Sequence, residues 1–187
     1  IGEGDSTTVL VSADTLFKMM GQPVPLEIGV GTDIRFTVKM LKIQSMEDYK
    51  KEAEERKANE PKIIQDYIAK NMKGAQKTTE GEIYYVQTAP GSGDLVKDGD
   101  EVKVKYVGKF IDGEIFDQSQ GDNTIGVKVG AHGVIPGWEI ALKTMRKGGK
   151  STVIIPSAMG YGEQGGGPIP PNSPLVFDIE VVDVVKN

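Results

Sequence analysis

From Glu82 onward the apolar residues of this chain recur with a period of two, and a single stretch interrupts the pattern. Residues 83–86, 102–110, 125–129, 151–155 and 175–185 read as strands, with turn signals at Gly91-Ser92-Gly93, Asp98-Gly99 and Asp112-Gly113. The interruption places Trp138, Ala141, Leu142 and Met145 at helical spacing, on a short helix expected to stop at Gly148-Gly149. Such strands have one apolar face to cover, and one helix is available to cover it. The fold class predicted is α+β: an antiparallel sheet wrapped around one short helix over residues 82–187.

Upstream, residues 45–81 read as a helical linker. Ser45 suits an N-cap, with Glu47 and Asp48 where the helix dipole favours acids. Glu47/Lys51 and Glu52/Arg56 are i,i+4 pairs, and residues 46–60 have almost no apolar face, so they are expected to be largely solvated. Pro61 lacks an amide donor and is expected to break or kink the helix, with Asn59 capping a second one. That second helix carries Ile63, Ile64, Tyr67, Ile68 and Met72 and ends near Gly74. Its stripe must bury against this chain's sheet or against a partner.

Residues 1–44 echo a later segment. The run 4–13 (GDSTTVLVSA) resembles 149–158 (GKSTVIIPSA), and after a loop of similar length 34–41 (IRFTVKML) resembles 175–182 (LVFDIEVV). Both copies read strand, long loop, strand.

The inventory narrows the chemistry. The chain has 187 residues, enough for one large domain or for one domain of about 100 residues and an appendage. It has no cysteine and one histidine, His132, which removes disulfides, thiol nucleophiles and multi-histidine metal sites, so no cofactor or metal is expected. A formal charge of −5 argues against nucleic acid. No apolar run approaches the length of a membrane span. Gly165-Gly166-Gly167 lacks the following Lys and the helix start of a phosphate cradle. Without an initiator Met or a secretory signal at Ile1, the chain is expected to be a processed or excised piece of something longer.

One ordered set remains. Tyr106 lies in the strand-like run 102–106, Phe116-Asp117 follows a hairpin turn, and Val134-Ile135-Pro136-Gly137-Trp138 opens the helix. Tyr161-Gly162 begins a glycine-rich loop that Ile169-Pro170-Pro171 closes, and Phe177-Asp178 lies in the last strand. Taken singly, Trp138, Tyr106, Phe116 and Phe177 would each read as core. In this order, through most of residues 82–187, they resemble the FKBP-type peptidyl-prolyl cis-trans isomerases, the macrolide-binding immunophilins. The resemblance implies that family's half-barrel sheet around a short helix. It also makes residues 1–44 look like the C-terminal half of a degenerate preceding repeat, whose other half would lie upstream of Ile1.

The implied reaction needs no acid, base or nucleophile. Amide resonance holds the X-Pro bond planar behind a barrier of about 18–20 kcal/mol. Twisting destroys the resonance and makes the amide less polar, so a dry apolar pocket favours the twisted form, a case of differential binding. By resemblance Trp138 is the floor under the proline ring and Tyr106, Phe116 and Phe177 the walls, with Val134 completing the apolar lining. Ile135 would donate its backbone amide and Tyr161 its hydroxyl to the substrate, Asp117 would stand at the rim, and Ile169 would border the loop over the pocket. The chain departs from the family pattern at Ile125, where many members have another aromatic. Asp178 is read as structural, and His132 as a loop residue without chemical duty.

The expected partners are proline-containing unfolded or partly folded polypeptides and macrolide inhibitors, with self-association possible through residues 1–74. The alternative function is a proline-binding chaperone or scaffold whose turnover is incidental. The architecture resembles bacterial envelope members of the family, which points to the periplasm or envelope, with the cytoplasm as the alternative. Because every assigned pocket residue lies between Tyr106 and Phe177, residues 82–187 are expected to fold and act alone.

Overall fold

A computed structural model describes residues 2–40 and 42–186; Ile1 and Leu41, named above, lie outside them. The chain divides into two compact units, residues 1–49 and 50–187.

In the first unit β1 (Ser6–Ser12) and β2 (Asp33–Lys39) pair antiparallel, joined through α1 (Ala13–Met19) and a loop. The Asp14 carboxylate accepts the Gly31 N–H at 3.0 Å and draws the loop back on α1. Ala13 is buried, but Val9, Leu10, Phe36 and Val38 on the two strands are exposed.

α2 (Met46–Asn71) enters the second unit at Lys50. There follow β3 (Gln76–Lys77), β4 (Tyr84–Ala89), β5 (Ser92–Leu95), β6 (Glu101–Lys109), β7 (Ile115–Gln118) and β8 (Ile125–Lys128). The chain continues through α3 (Pro136–Lys143), β9 (Arg146–Lys147), β10 (Lys150–Ile155), a 3-10 turn (Ser157–Met159) and β11 (Leu175–Val185). Seven strands form one antiparallel sheet in the order β3-β4-β10-β11-β6-β7, with β8 also paired to β6. β5 and β9 form a separate small pair.

Alternation along the central strands sorts side chains to two faces. Val153, Ile155, Leu175, Phe177 and Ile179 pack in one core with Trp138, Ala141 and Leu142 of α3. Ile154 and Val176, between them in sequence, face the other way and pack on Ile64 and Met72, with Tyr67 and Ile68 alongside. The apolar stripe of α2 is thus buried by this chain's own sheet. The α+β class is the one expected. No helix among the described residues is long and apolar enough to cross a membrane.

Two expectations need correction. The helix does not end at Pro61 but runs unbroken from Met46 to Asn71. The proline, which is exposed, forfeits one backbone bond while the turns on either side are fixed to the sheet unit, Glu60 by Ser157 and Ile64 by the core. Residues 46–60 are largely solvated, as expected, while Ala53, Arg56 and Glu60 also make hydrogen bonds to that unit. Lastly, α3 stops at Lys143 rather than at Gly148-Gly149, with Thr144 as its C-cap. The Met145 carbonyl is taken by Val96 N–H at 3.0 Å, and Arg146–Lys147 pairs with β5, so helix is abandoned for sheet.

The echoed segments both form antiparallel pairs, β1 with β2 and β10 with β11. Their registers differ by one residue. Ser6 faces Lys39, whereas its counterpart Ser151 faces Ile179 and not Glu180, the counterpart of Lys39.

Candidate active site

A cavity of about 200 Å³ opens between the sheet and the N-terminus of α3. Its aromatic walls are set by register. Gly108 of β6 lies opposite Phe177 on β11 and opposite Asp117 on β7. A Cβ at Gly108 would lie 2.8 Å from Phe116 Cζ and 2.8 Å from Phe177 Cε1. The two rings can meet over β6 only because that position has no side chain. Sequence reasoning missed Gly108. A glycine inside a strand marks such a close approach, and that signal was present.

α3 begins where Pro136 supplies a helical φ and no unsatisfied N–H. Ile135 before it is extended, and its carbonyl accepts the Trp138 N–H at 2.9 Å. Gly137 lets the first turn lie on the sheet, for a Cβ there would stand 2.3 Å from Ile155 Cγ2. Trp138 is thereby driven into the cavity floor, 4% exposed. It meets Tyr106 and Phe177 edge-on, with ring centroids at 5.1 and 5.4 Å. Phe116 is perpendicular to Phe177 at 5.7 Å. Each such contact contributes about 0.5–1.5 kcal/mol beyond area burial, so the box is held in shape before any ligand enters.

The polar groups sit at the rim. The Tyr106 hydroxyl donates to Asp117 Oδ2 at 2.6 Å. Burial and that hydrogen bond push the Tyr106 phenol up to about 12. Among the described residues neither the Ile135 N–H nor the Tyr161 hydroxyl has a hydrogen-bond partner, and both residues lie against the cavity. Glu139, buried behind Trp138, accepts the His132 N–H at 2.8 Å through Oε1 and holds the chain entering Ile135. His132 has φ +56° and an exposed ring whose Nδ1 is 3.3 Å from Glu139 Oε2.

The structure brings Tyr106, Phe116, Asp117, Val134, Ile135, Trp138, Tyr161 and Phe177 together around the cavity, with Ile125 and Gly133 beside them. Ile125 does stand in the wall. Ile169 does not line the cavity. It is 4% exposed in the core, because the loop doubles back through mutual backbone hydrogen bonds between Gly166 and Ile169. Asp178 points away from the site to Lys109 and Thr152, at 2.5 and 2.6 Å.

A curved antiparallel sheet closed over one short helix, with an aromatic cavity between them, defines the FKBP-like class of α+β domains. The family model described as FKBP-type peptidyl-prolyl cis-trans isomerase matches residues 93–182. FkpA of Escherichia coli is 46% identical over 114 residues, covering 60% of this chain and 41% of FkpA. A probable FKBP-type peptidyl-prolyl cis-trans isomerase of Haemophilus influenzae is 45% identical over 109 residues, 58% of this chain and 45% of the relative. The crystal structure of FkpA from Escherichia coli superposes with a TM-score of 0.65 at 36% identity, covering 73% of this chain and 62% of that one. A peptidyl-prolyl cis-trans isomerase structure from Pseudomonas syringae pv. tomato gives 0.63 at 34% identity, covering 72% of this chain and 96% of that one. The chain belongs to the FKBP-type peptidyl-prolyl cis-trans isomerase family, through a domain at residues 93–182. It spans less than half the length of the two curated relatives named.

Proposed function

We propose that the protein is a working peptidyl-prolyl cis-trans isomerase that accelerates X-Pro isomerisation in folding polypeptides. The observation that carries this is the preformed aromatic box around Trp138, with its free donors at Ile135 and Tyr161. The box accepts a proline ring and excludes water, which lowers the cost of the less polar twisted amide. Trp138 is the floor, Tyr106, Phe116 and Phe177 the walls, and Asp117 holds the Tyr106 hydroxyl at the rim. The Ile135 amide and the Tyr161 hydroxyl bind the substrate backbone. Macrolide inhibitors occupy the same box. The test is a prolyl isomerisation assay with and without a macrolide: inhibitor-sensitive turnover supports the proposal, and a folded protein without turnover overturns it.

A proline-binding chaperone with incidental turnover is the second reading, favoured by the exposed apolar side chains Leu10, Phe36 and Val38 on the first unit's strands. The same surface supports self-association through residues 1–74. The strand, loop, strand pattern of β1 and β2 supports descent of residues 1–44 from half of a preceding repeat, although the one-residue register offset counts against a shared buried face. A periplasmic or envelope location is part of the proposal, on the similarity to the bacterial relatives.

A further inference from the structure

We infer that α2 is a working part of the isomerase site: its residues 53–60 clamp the loop that carries Tyr161, and Glu60 and Asn172 are the positioning residues. The inference rests on the role proposed for Tyr161.

The loop from Ser157 to Asn172 has two feet, and both stand on α2. At the first, Glu60 Oε1 accepts the Ser157 N–H at 2.5 Å and Oε2 accepts the Ser157 hydroxyl at 2.8 Å. The carboxylate thus caps the 3-10 turn from another element, where a free amide and the backbone dipoles favour an anion. At the second foot, Asn172 Nδ2 donates to the Ala53 carbonyl at 2.9 Å. Asn172 has φ +53°, a conformation that asparagine tolerates and most residues do not. The feet are joined inside the loop. Gly162 N–H donates to the Ser157 carbonyl at 2.8 Å, and Asn172 N–H donates to the Gly162 carbonyl at 2.9 Å.

These bonds close a ring that runs from Glu60 to Ser157, Gly162, Asn172 and Ala53, and returns along the helix. Tyr161 is the residue next to the shared Gly162. Between the feet, Arg56 Nε donates to the Pro171 carbonyl at 2.9 Å and Lys57 pairs with Glu163. Ser157 and Asn172 are each 5% exposed, so the anchors are sheltered from competing water, whereas Tyr161 is 42% exposed. On the pocket side its ring lies against Gly166, and its hydroxyl has no hydrogen-bond partner among the described residues. The direction of the Tyr161 hydroxyl is therefore set largely from outside the cavity, by a helix that contributes no atom to its lining.

The test is a double-mutant cycle on the full chain with Glu60→Ala and Tyr161→Phe, read as kcat/KM on an X-Pro peptide. Glu60→Ala should lower it about fivefold, and that loss should vanish in the Tyr161→Phe background. Glu60→Gln, which keeps one acceptor for the Ser157 N–H, should recover most of the loss. Asn172→Gly keeps the backbone conformation and removes only the side-chain bond, so it tests the second foot if Glu60→Ala does not fold. Losses that simply multiply in the double variant, or no loss at all, would overturn the inference. Amide hydrogen exchange gives an arm independent of turnover. The Gly160 and Gly162 amides should exchange about tenfold faster in Glu60→Ala while the Trp138 amide does not change. If the unaltered protein shows no isomerase activity the functional proposal fails, and exchange still decides the clamp: unchanged protection at Gly162 refutes it.

Discussion

The Tyr106 hydroxyl reaches Asp117 Oδ2 at 2.6 Å, across adjacent strands at the mouth of the cavity. Burial, with this bond second, raises the phenol's pKa from 10.0 to about 12. Neutral tyrosine is then favoured in the folded state. Its contribution to stability is complete below about pH 10 and is lost as the pH rises through the folded value. Thermal unfolding followed above neutral pH should show an alkaline decline that is shallower in Tyr106→Phe. Turnover, which needs no proton transfer, should be nearly flat from about pH 6 to 8, in the parent and in His132→Ala alike. A bell-shaped profile would show that a titrating group takes part.

Trp138→Ala should abolish most macrolide and proline-peptide binding. With the side chain 4% exposed, it should also destabilise the fold by about 3–5 kcal/mol. Urea unfolding and binding titrations check the two effects separately, and a folded variant with unchanged affinity would return Trp138 to the ordinary core.

Gly108→Ala is expected to cost about 1–3 kcal/mol, because the new methyl must push Phe116 and Phe177 apart. Activity should fall more steeply than stability, since both rings are walls of the box. Comparing kcat/KM with the unfolding free energy tests this.

A fragment of residues 50–187 should keep activity, and one of residues 82–187 should be weakened. Removing α2 uncovers Ile154 and Val176 and deletes Ile64 and Met72. At about 1.5–3 kcal/mol per buried side chain, the shorter fragment should lose at least about 3 kcal/mol in urea unfolding. Equal stability of the two fragments would show that α2 is only tethered.

What the sequence revealed follows hydrophobic burial closely. β11 spans the expected residues 175–185, and β6 and β10 fall within a residue of expectation, because β10 and β11 carry long buried apolar runs and β6 opens with exposed and buried residues in alternation. The pocket residues were readable from their order along the chain. Contacts made by polar groups were not. The bonds of Glu60, Arg56 and Asn172 leave no trace in the sequence, since a hydrogen bond between distant segments has no periodicity. The same gap made Pro61 look like a break or kink. β9, two residues long, and β5, four residues long, are too short to show alternation. Ile169, which the resemblance puts at the border of the loop over the pocket, lies in the core where the loop doubles back on itself.

β11 comes after every other strand in the chain, yet it lies between β10 and β6 in the middle of the sheet and carries Phe177 into the cavity. On the ribosome the six earlier strands of this sheet would emerge with a gap at their centre. The two halves of the sheet cannot join until about residue 185 is clear of the exit tunnel. An enzyme proposed to hasten the folding of other chains must itself wait for the last strand of this sheet before its own site exists.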